Sequence, residues 1–164
     1  VPYGVYTADD YSARTFPSMN KWIDNTRPNR QHTQGQRDYV LMRLADAYLI
    51  RAEARLKQGN SSGAASDINV IRTRAAWDGK EADMQITAAD VSIDMILDER
   101  ARELVGENHR WFDLTRTGKL VERVKLHNSD AKDNIQSHHI VRPIPLSQID
   151  RTSGGYAQNP GYAQ

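Results

Sequence analysis

The chain has 164 residues, 38% of them apolar and 26% charged, with 22 Lys and Arg against 21 Asp and Glu for a formal charge of +1. That length buries roughly 68–70% of the unfolded surface, enough for a real core, while the near-neutral balance excludes a phosphate-neutralising basic arm, so nucleic acid is not expected as a partner. Zero cysteines exclude disulfides, thiolate metal sites and a cysteine nucleophile, and no run of about 18 apolar residues is present to span a bilayer.

The chain opens on Val1, Pro2 and Tyr3 rather than an initiator Met, so a processed protein or a fragment is expected. Residues 1–38 scatter Pro2, Gly4, Pro17, Pro28 and Gly35 among polar residues without sustained periodicity, which predicts an irregular or extended arm. The arm also holds Tyr3, Tyr6, Tyr11, Phe16 and Trp22, five of the twelve aromatics, more than a disordered tail carries. Those rings either pack the arm on a helical body or stay exposed for a ligand.

From residue 39 to about 58 apolar and small residues fall at Val40, Leu41, Leu44, Ala45, Tyr48, Leu49, Ala52 and Leu56, the stripe of an amphipathic helix. Gly59 and Asn60 stop it. A second helix over 62–76, capped by Ser61 or Ser62, places Ala64, Ala65, Ile68, Ile71 and Ala75 on one face. The short connection predicts an antiparallel hairpin. Ala45, Ala52, Ala54, Ala64 and Ala65 let the axes approach closely, and the spacing echoes one tetratricopeptide unit. Stacked repeats need about three units for stability, so the rest of this chain or further sequence must cover the pair, and an exposed apolar flank is expected if the chain is incomplete.

Residues 77–85, beginning Trp77, Asp78, Gly79, read as a polar, acidic loop. Thr87 is expected to cap a third helix over 88–105, with Ile93, Ile96, Leu97, Arg100 and Leu104 inward. Arg100 on an apolar stripe predicts a buried charge with partners. Gly106 breaks this helix, Trp111, Phe112 and Leu114 form an apolar knot, and Gly118 leads into a short helix with Leu120, Val121, Val124 and Leu126. Residues 127–139 are hydrophilic; Pro143 and Pro145 keep 140–145 extended and out of any central strand; an Asn-Pro-Gly turn lies within 156–162. The fold expected is mainly all-α: one tetratricopeptide-like helix pair plus additional helices in a body over 39–126, with an irregular arm at 1–38 and an extended arm at 127–164, as a single region of a longer protein.

The densest ionisable cluster is Glu99, Arg100, Arg102, Glu103, Glu107, His109, Arg110, Asp113 and Arg116. Paired carboxylates four apart are what glycoside hydrolysis or a divalent cation needs. Interleaved arginines instead hold carboxylates ionised and satisfied, the opposite of a poised acid, so Arg100, Glu103, Glu107, Arg110, Trp111, Asp113 and Arg116 read as a semi-buried ion-pair and aromatic scaffold. His109 is a weak metal ligand, and His138 and His139, in an extended segment, should point to opposite faces. No nucleophile elbow or phosphate loop appears, so no enzyme is expected and no cofactor is implied, although a structural calcium stays open. Ring faces in loops suit stacking on a sugar; Trp77 with Asp78 is the first such candidate and Trp22 the second, against the alternative of rings packed at helix ends.

YVLMRLADAYLIRAEARLKQGN, AASDINVIRTRAA, ILDERARELVGENHRWFDLTRTGKL, IVRPIPLSQID and QNPGY occur in the order and spacing of the C-terminal part of the SusD/RagB family, which the chain resembles over about residues 39–162. The resemblance implies a helical, tetratricopeptide-containing, lipid-anchored protein of the outer-membrane surface. Such a protein captures glycans, or sometimes peptides, and passes them to a SusC-like TonB-dependent porin without cleaving them. It implies that the anchor lies outside these residues and that Glu103, Arg110, Trp111, Asp113 and Arg116 are structural motif residues. Ligand residues vary across the family, so none carries over. The alternative class is a helical protein-interaction module that binds no small molecule.

Overall fold

A computed structural model describes residues 7–12, 16, 19–29, 31–35, 37, 38 and 40–163. The expectations for Tyr3, Tyr6 and the helix start at Tyr39 lie outside the described residues. Two compact units divide the chain, Val1–Val40 and Leu41–Gln164.

The first unit holds two single 3-10 turns, Ala8–Asp10 and Asn20–Trp22. Among its described residues is an Asx turn: buried Asp24 accepts from the Thr26 backbone N–H at 2.9 Å and hydroxyl at 2.6 Å. Tyr11 and Phe16 are exposed.

The second unit is built on six helices: α1 (Leu44–Lys57), α2 (Ser61–Ala75), α3 (Ile93–Glu103), α4 (Arg110–Arg116), α5 (Leu120–His127) and α6 (Leu146–Asp150). No strand occurs among the described residues, so the all-α expectation holds. α1 packs chiefly on α2 and also on α3, around Leu49, Ala52, Ala64, Ile68 and Ile96, all fully buried. The alanines hold the helix axes close, and each fully buried Leu or Ile contributes about 1.5–3 kcal/mol relative to exposure. A second cluster of Leu97, Leu114 and Leu120, with Ile93, Trp111 and Val124 against it, joins α3 to α4 and α5.

Several boundaries differ from the sequence pattern. α1 begins at Leu44, and Val40, Leu41 and Leu44 are exposed rather than inward. Ala54 also faces out, so it does not bring the two helices together. The α2 cap is Asn60, whose side chain accepts from Gly63 N–H at 2.8 Å, not Ser61 or Ser62. Gly59 ends α1 with φ +78°, and the Asn60 N–H reaches Arg55 C=O at 2.8 Å, the closure that a left-handed residue permits.

Thr87 caps only a 3-10 turn at Ala88–Asp90, and Ser92 caps α3 through Met95 N–H at 3.1 Å. The apolar knot around Trp111 is itself helical, as α4, which leaves Phe112 65% exposed. His138 and His139 share a 3-10 turn, Ser137–Ile140, with ring centroids 4.1 Å apart rather than on opposite faces. Gln158 clasps both backbone groups of Ile144 at 2.7 and 2.8 Å, and Tyr162 donates to Val141 C=O at 2.8 Å, holding the C-terminal arm to residues 141–144. The helix pair has an exposed apolar flank in Leu44 (72% exposed), Ile50 and Val70.

Candidate functional site

Trp77 is the most exposed large apolar residue described in the chain, at 86%. It opens the turn that follows α2: Lys80 N–H donates to Trp77 C=O at 2.8 Å, and Gly79 takes φ +76°, a backbone state that glycine adopts without steric cost. The loop is pinned at its far end. Asn69 of α2 accepts from Ile86 N–H and donates to Ile86 C=O, both at 2.9 Å. Midway, the Gln85 amide donates to Thr73 Oγ1 at 2.8 Å and to Glu81 C=O at 3.1 Å. The ring is therefore carried on a loop fixed to the core helix pair, and side-chain entropy lost on stacking a ligand is small for a two-torsion side chain.

Asp78, next to the ring, is exposed and has no hydrogen-bond or ion-pair partner among the described residues. Lys80 pairs with Asp83 at 3.0 Å, and Glu81 Oε1 accepts from Gly79 N–H at 3.3 Å. Trp22 belongs to the other unit, on the 3-10 turn Asn20–Trp22, and is 38% exposed. Each ring is thus a candidate by itself.

The ionisable residues around Trp111 fall into one long ion-pair chain and a second set of shorter groups. In the first, Arg100, 4% exposed, donates to Asp46 at 2.8 Å and to Asp113 at 2.7 Å. Arg116 binds the other Asp113 oxygen at 2.9 Å and Glu53 at 2.6 Å, and Lys57 closes the chain on Glu53 at 2.8 Å. This run of alternating charge ties α1 to α3 and α4. The Arg116 guanidinium, aided by Lys57, holds the Glu53 carboxyl at about 2 against the upward push of burial, and Glu53 in turn raises Arg116.

In the second set, Arg43 donates to Glu103 and Glu107, each at 2.8 Å, and Arg74 reaches Glu103 at 2.6 Å. Glu99 accepts from Arg72 and Arg102, both at 2.8 Å. Arg110 donates to Leu97 C=O at 2.7 Å, and burial, with the nearby Arg123 charge, lowers its pKa. Trp111 lies under the Arg142 guanidinium, 5.2 Å from the ring centroid.

The carboxylates of both sets meet guanidinium groups, an arrangement that neutralises their charge. Among the described residues, no group of three His, Asp or Glu is arranged to hold a metal ion, and His109 stands with its buried Nε2 lacking a hydrogen-bond partner. Asp46, Glu53, Arg43 and Arg74 were not apparent as members from the sequence cluster. A signal exists for two of them: Asp46 and Glu53 are seven apart, in phase with the buried Ala45 and Ala52. Arg43 lies 60 residues from Glu103, beyond any local pattern.

A sequence profile of the SusD family matches residues 3–162. SusD-like protein P25 of Formosa agariphila is 33% identical over 162 residues, covering 86% of this chain and 29% of that protein. The starch-binding protein SusD of Bacteroides thetaiotaomicron is 33% identical over 152 residues, covering 88% of this chain and 26% of that protein. SusD-like protein P38 of Formosa agariphila is 37% identical over 101 residues, covering 58% of this chain and 20% of that protein. The chain thus spans less than a third of the length of these relatives, and no solved structure matches it significantly. Matched over nearly its whole length, the chain belongs to the SusD family.

Proposed function

We propose that this chain is part of a cell-surface binding protein that captures an oligosaccharide without breaking a bond and hands it to a TonB-dependent outer-membrane transporter of the SusC type. The observation that carries the reading is Trp77, a ring 86% exposed on a loop pinned to the core, in a chain related to a starch-binding protein. An indole face stacks on the apolar face of a pyranose, while its N–H and the carboxylate of Asp78, the next residue in the chain, supply a donor and an acceptor for hydroxyls. Trp22 is a second stacking residue in the other unit. The ion-paired carboxylates around Asp113 support capture over hydrolysis, because an acid catalyst needs a raised pKa and Glu53 has a lowered one. No helix among the described residues is long and apolar enough to cross a membrane. Membrane attachment through a lipid carried outside these 164 residues rests on family membership.

Calorimetry of the chain against an oligosaccharide panel tests the reading. Binding should weaken tenfold or more in Trp77→Ala, about 1.4 kcal/mol or above. Release of shorter sugars, or affinity unchanged by the substitution, contradicts it. A second reading, docking of a protein partner, draws on the apolar groove of about 360 Å³ between α1 and α2, lined by Leu44, Tyr48, Val70 and Ile71 and rimmed by Arg43 and Arg74. Co-purification with a porin in the absence of any affinity for glycan or peptide favours that reading; affinity for peptides alone makes the ligand a peptide.

A further inference from the structure

The loop that carries Trp77 is acidic, and its one lysine is paired. From Trp77 to Asp90 the side-chain charges are Asp78, Glu81, Asp83 and Asp90 against Lys80 alone. Lys80 is spent on Asp83. The arginines of the last turn of α2, the nearest in sequence, are also engaged: Arg72 is neutralised by Glu99 while also donating to Met84 C=O of the loop at 3.3 Å, and Arg74 pairs with Glu103. Asp90 is used locally, accepting from Thr87 N–H and hydroxyl at 2.8 and 2.7 Å. Asp78 and Glu81 are left as carboxylates with no cationic partner among the described residues, one within the turn that begins at Trp77 and one directly after it.

From this charge arrangement we infer that the Trp77 platform selects uncharged sugars and rejects uronate and sulfated ones. The inference deepens the glycan reading and rests on it. Stacking on the indole is indifferent to the sign of a substituent at the rim of the sugar ring, so the fixed charges beside the platform decide between neutral and anionic sugars. A carboxylate or sulfate about 7 Å from one such carboxylate in water is disfavoured about threefold, and two of them multiply to about tenfold at low ionic strength. Asp78 is exposed and Glu81 only half-buried, so added salt erases the preference once the screening length falls to about 3 Å near 1 M.

The experiment titrates the full 164-residue chain with neutral α-glucan and β-mannan hexasaccharides and with polygalacturonate and carrageenan oligomers of equal length, at about 10 mM and about 1 M salt. Neutral sugars should bind with a salt-independent affinity. Anionic ones should bind about tenfold more weakly at low salt, with the gap closing at high salt. Glu81→Gln keeps an oxygen to accept from Gly79 N–H while removing the charge, and should tighten the anionic sugars about threefold at low salt without altering the neutral ones. Glu81→Lys should tighten them about tenfold. Anionic oligomers that bind wild type as tightly as neutral ones, or a Glu81 series without this graded, salt-sensitive response, overturn the charge inference while leaving glycan capture at Trp77 intact. Failure of every sugar to bind, or binding untouched by Trp77→Ala, overturns the glycan reading and the inference together.

Discussion

Arg100 joins two buried carboxylates from different helices, and its replacement by Met keeps the volume of the aliphatic stem while removing the charge. Asp113 retains Arg116 at 2.9 Å, but Asp46, 2% exposed, has no second cation among the described residues. Breaking a buried pair from one side costs about 3–5 kcal/mol, since the remaining charge stays desolvated. For a chain of this size that lowers Tm by about 6–20 °C. Urea denaturation followed by circular dichroism at neutral pH measures the loss. Asp46→Asn is the companion, and in the double variant the second substitution should cost less than it does in wild type, with a coupling of about 1.5–3 kcal/mol. A loss below about 1 kcal/mol for Arg100→Met, or simple additivity of the two changes, refutes the idea that this ion pair holds α3 to α1.

Three further outcomes follow from particular contacts. Glu53 has a folded pKa of about 2, below its ordinary 4.5, because Arg116 binds it. A depressed acid stabilises the fold above its unfolded pKa and loses that contribution as pH falls. Stability should therefore drop between about pH 4.5 and about 2, and Glu53→Gln should flatten that part of a pH series of urea midpoints. Gly161 has φ +89°, and an added Cβ would meet His138 Cγ at 2.5 Å, so Gly161→Ala should detach the Tyr162 hydroxyl from Val141 at a cost of about 1–3 kcal/mol, read as faster amide exchange over 156–163. Gly154→Ala, at φ +100° with nothing within 4 Å, separates backbone strain from the clash. Asn60→Ala removes the α2 cap and should cost about 1 kcal/mol in the same denaturation assay, whereas Ser62→Ala should cost under about 0.5 kcal/mol.

The helix hairpin and the inward face of α3 were legible because each rests on local periodicity: Ala64, Ile68 and Ile71, like Ile96, Leu97 and Arg100, fall where a 3.6-residue repeat puts them. The arginine at position 100 announced buried partners by its place in an apolar stripe, although not which partners. The polar loop with a glycine turn left two places for the Trp77 ring, packed on a helix end or facing out, and the fold leaves it exposed. Helix starts were less legible. Leu41 and Leu44 continue the apolar pattern of α1 yet face outward, because periodicity records which side is apolar and not where the backbone begins to coil.

Local sequence, then, determined the hairpin, its closing glycine and the presence of an acid and guanidinium cluster near Trp111, since helix propensity and side-chain spacing act over a few residues. Tertiary structure alone decided that Arg43 bridges Glu103 and Glu107, that Glu53 and Asp46 complete the Arg100 chain, and that Arg72 and Arg74 of α2 pair with Glu99 and Glu103 of α3. An ion pair forms wherever packing brings two desolvated charges within about 3 Å. Across sixty residues that distance is set by how the helices pack, and no local pattern encodes it.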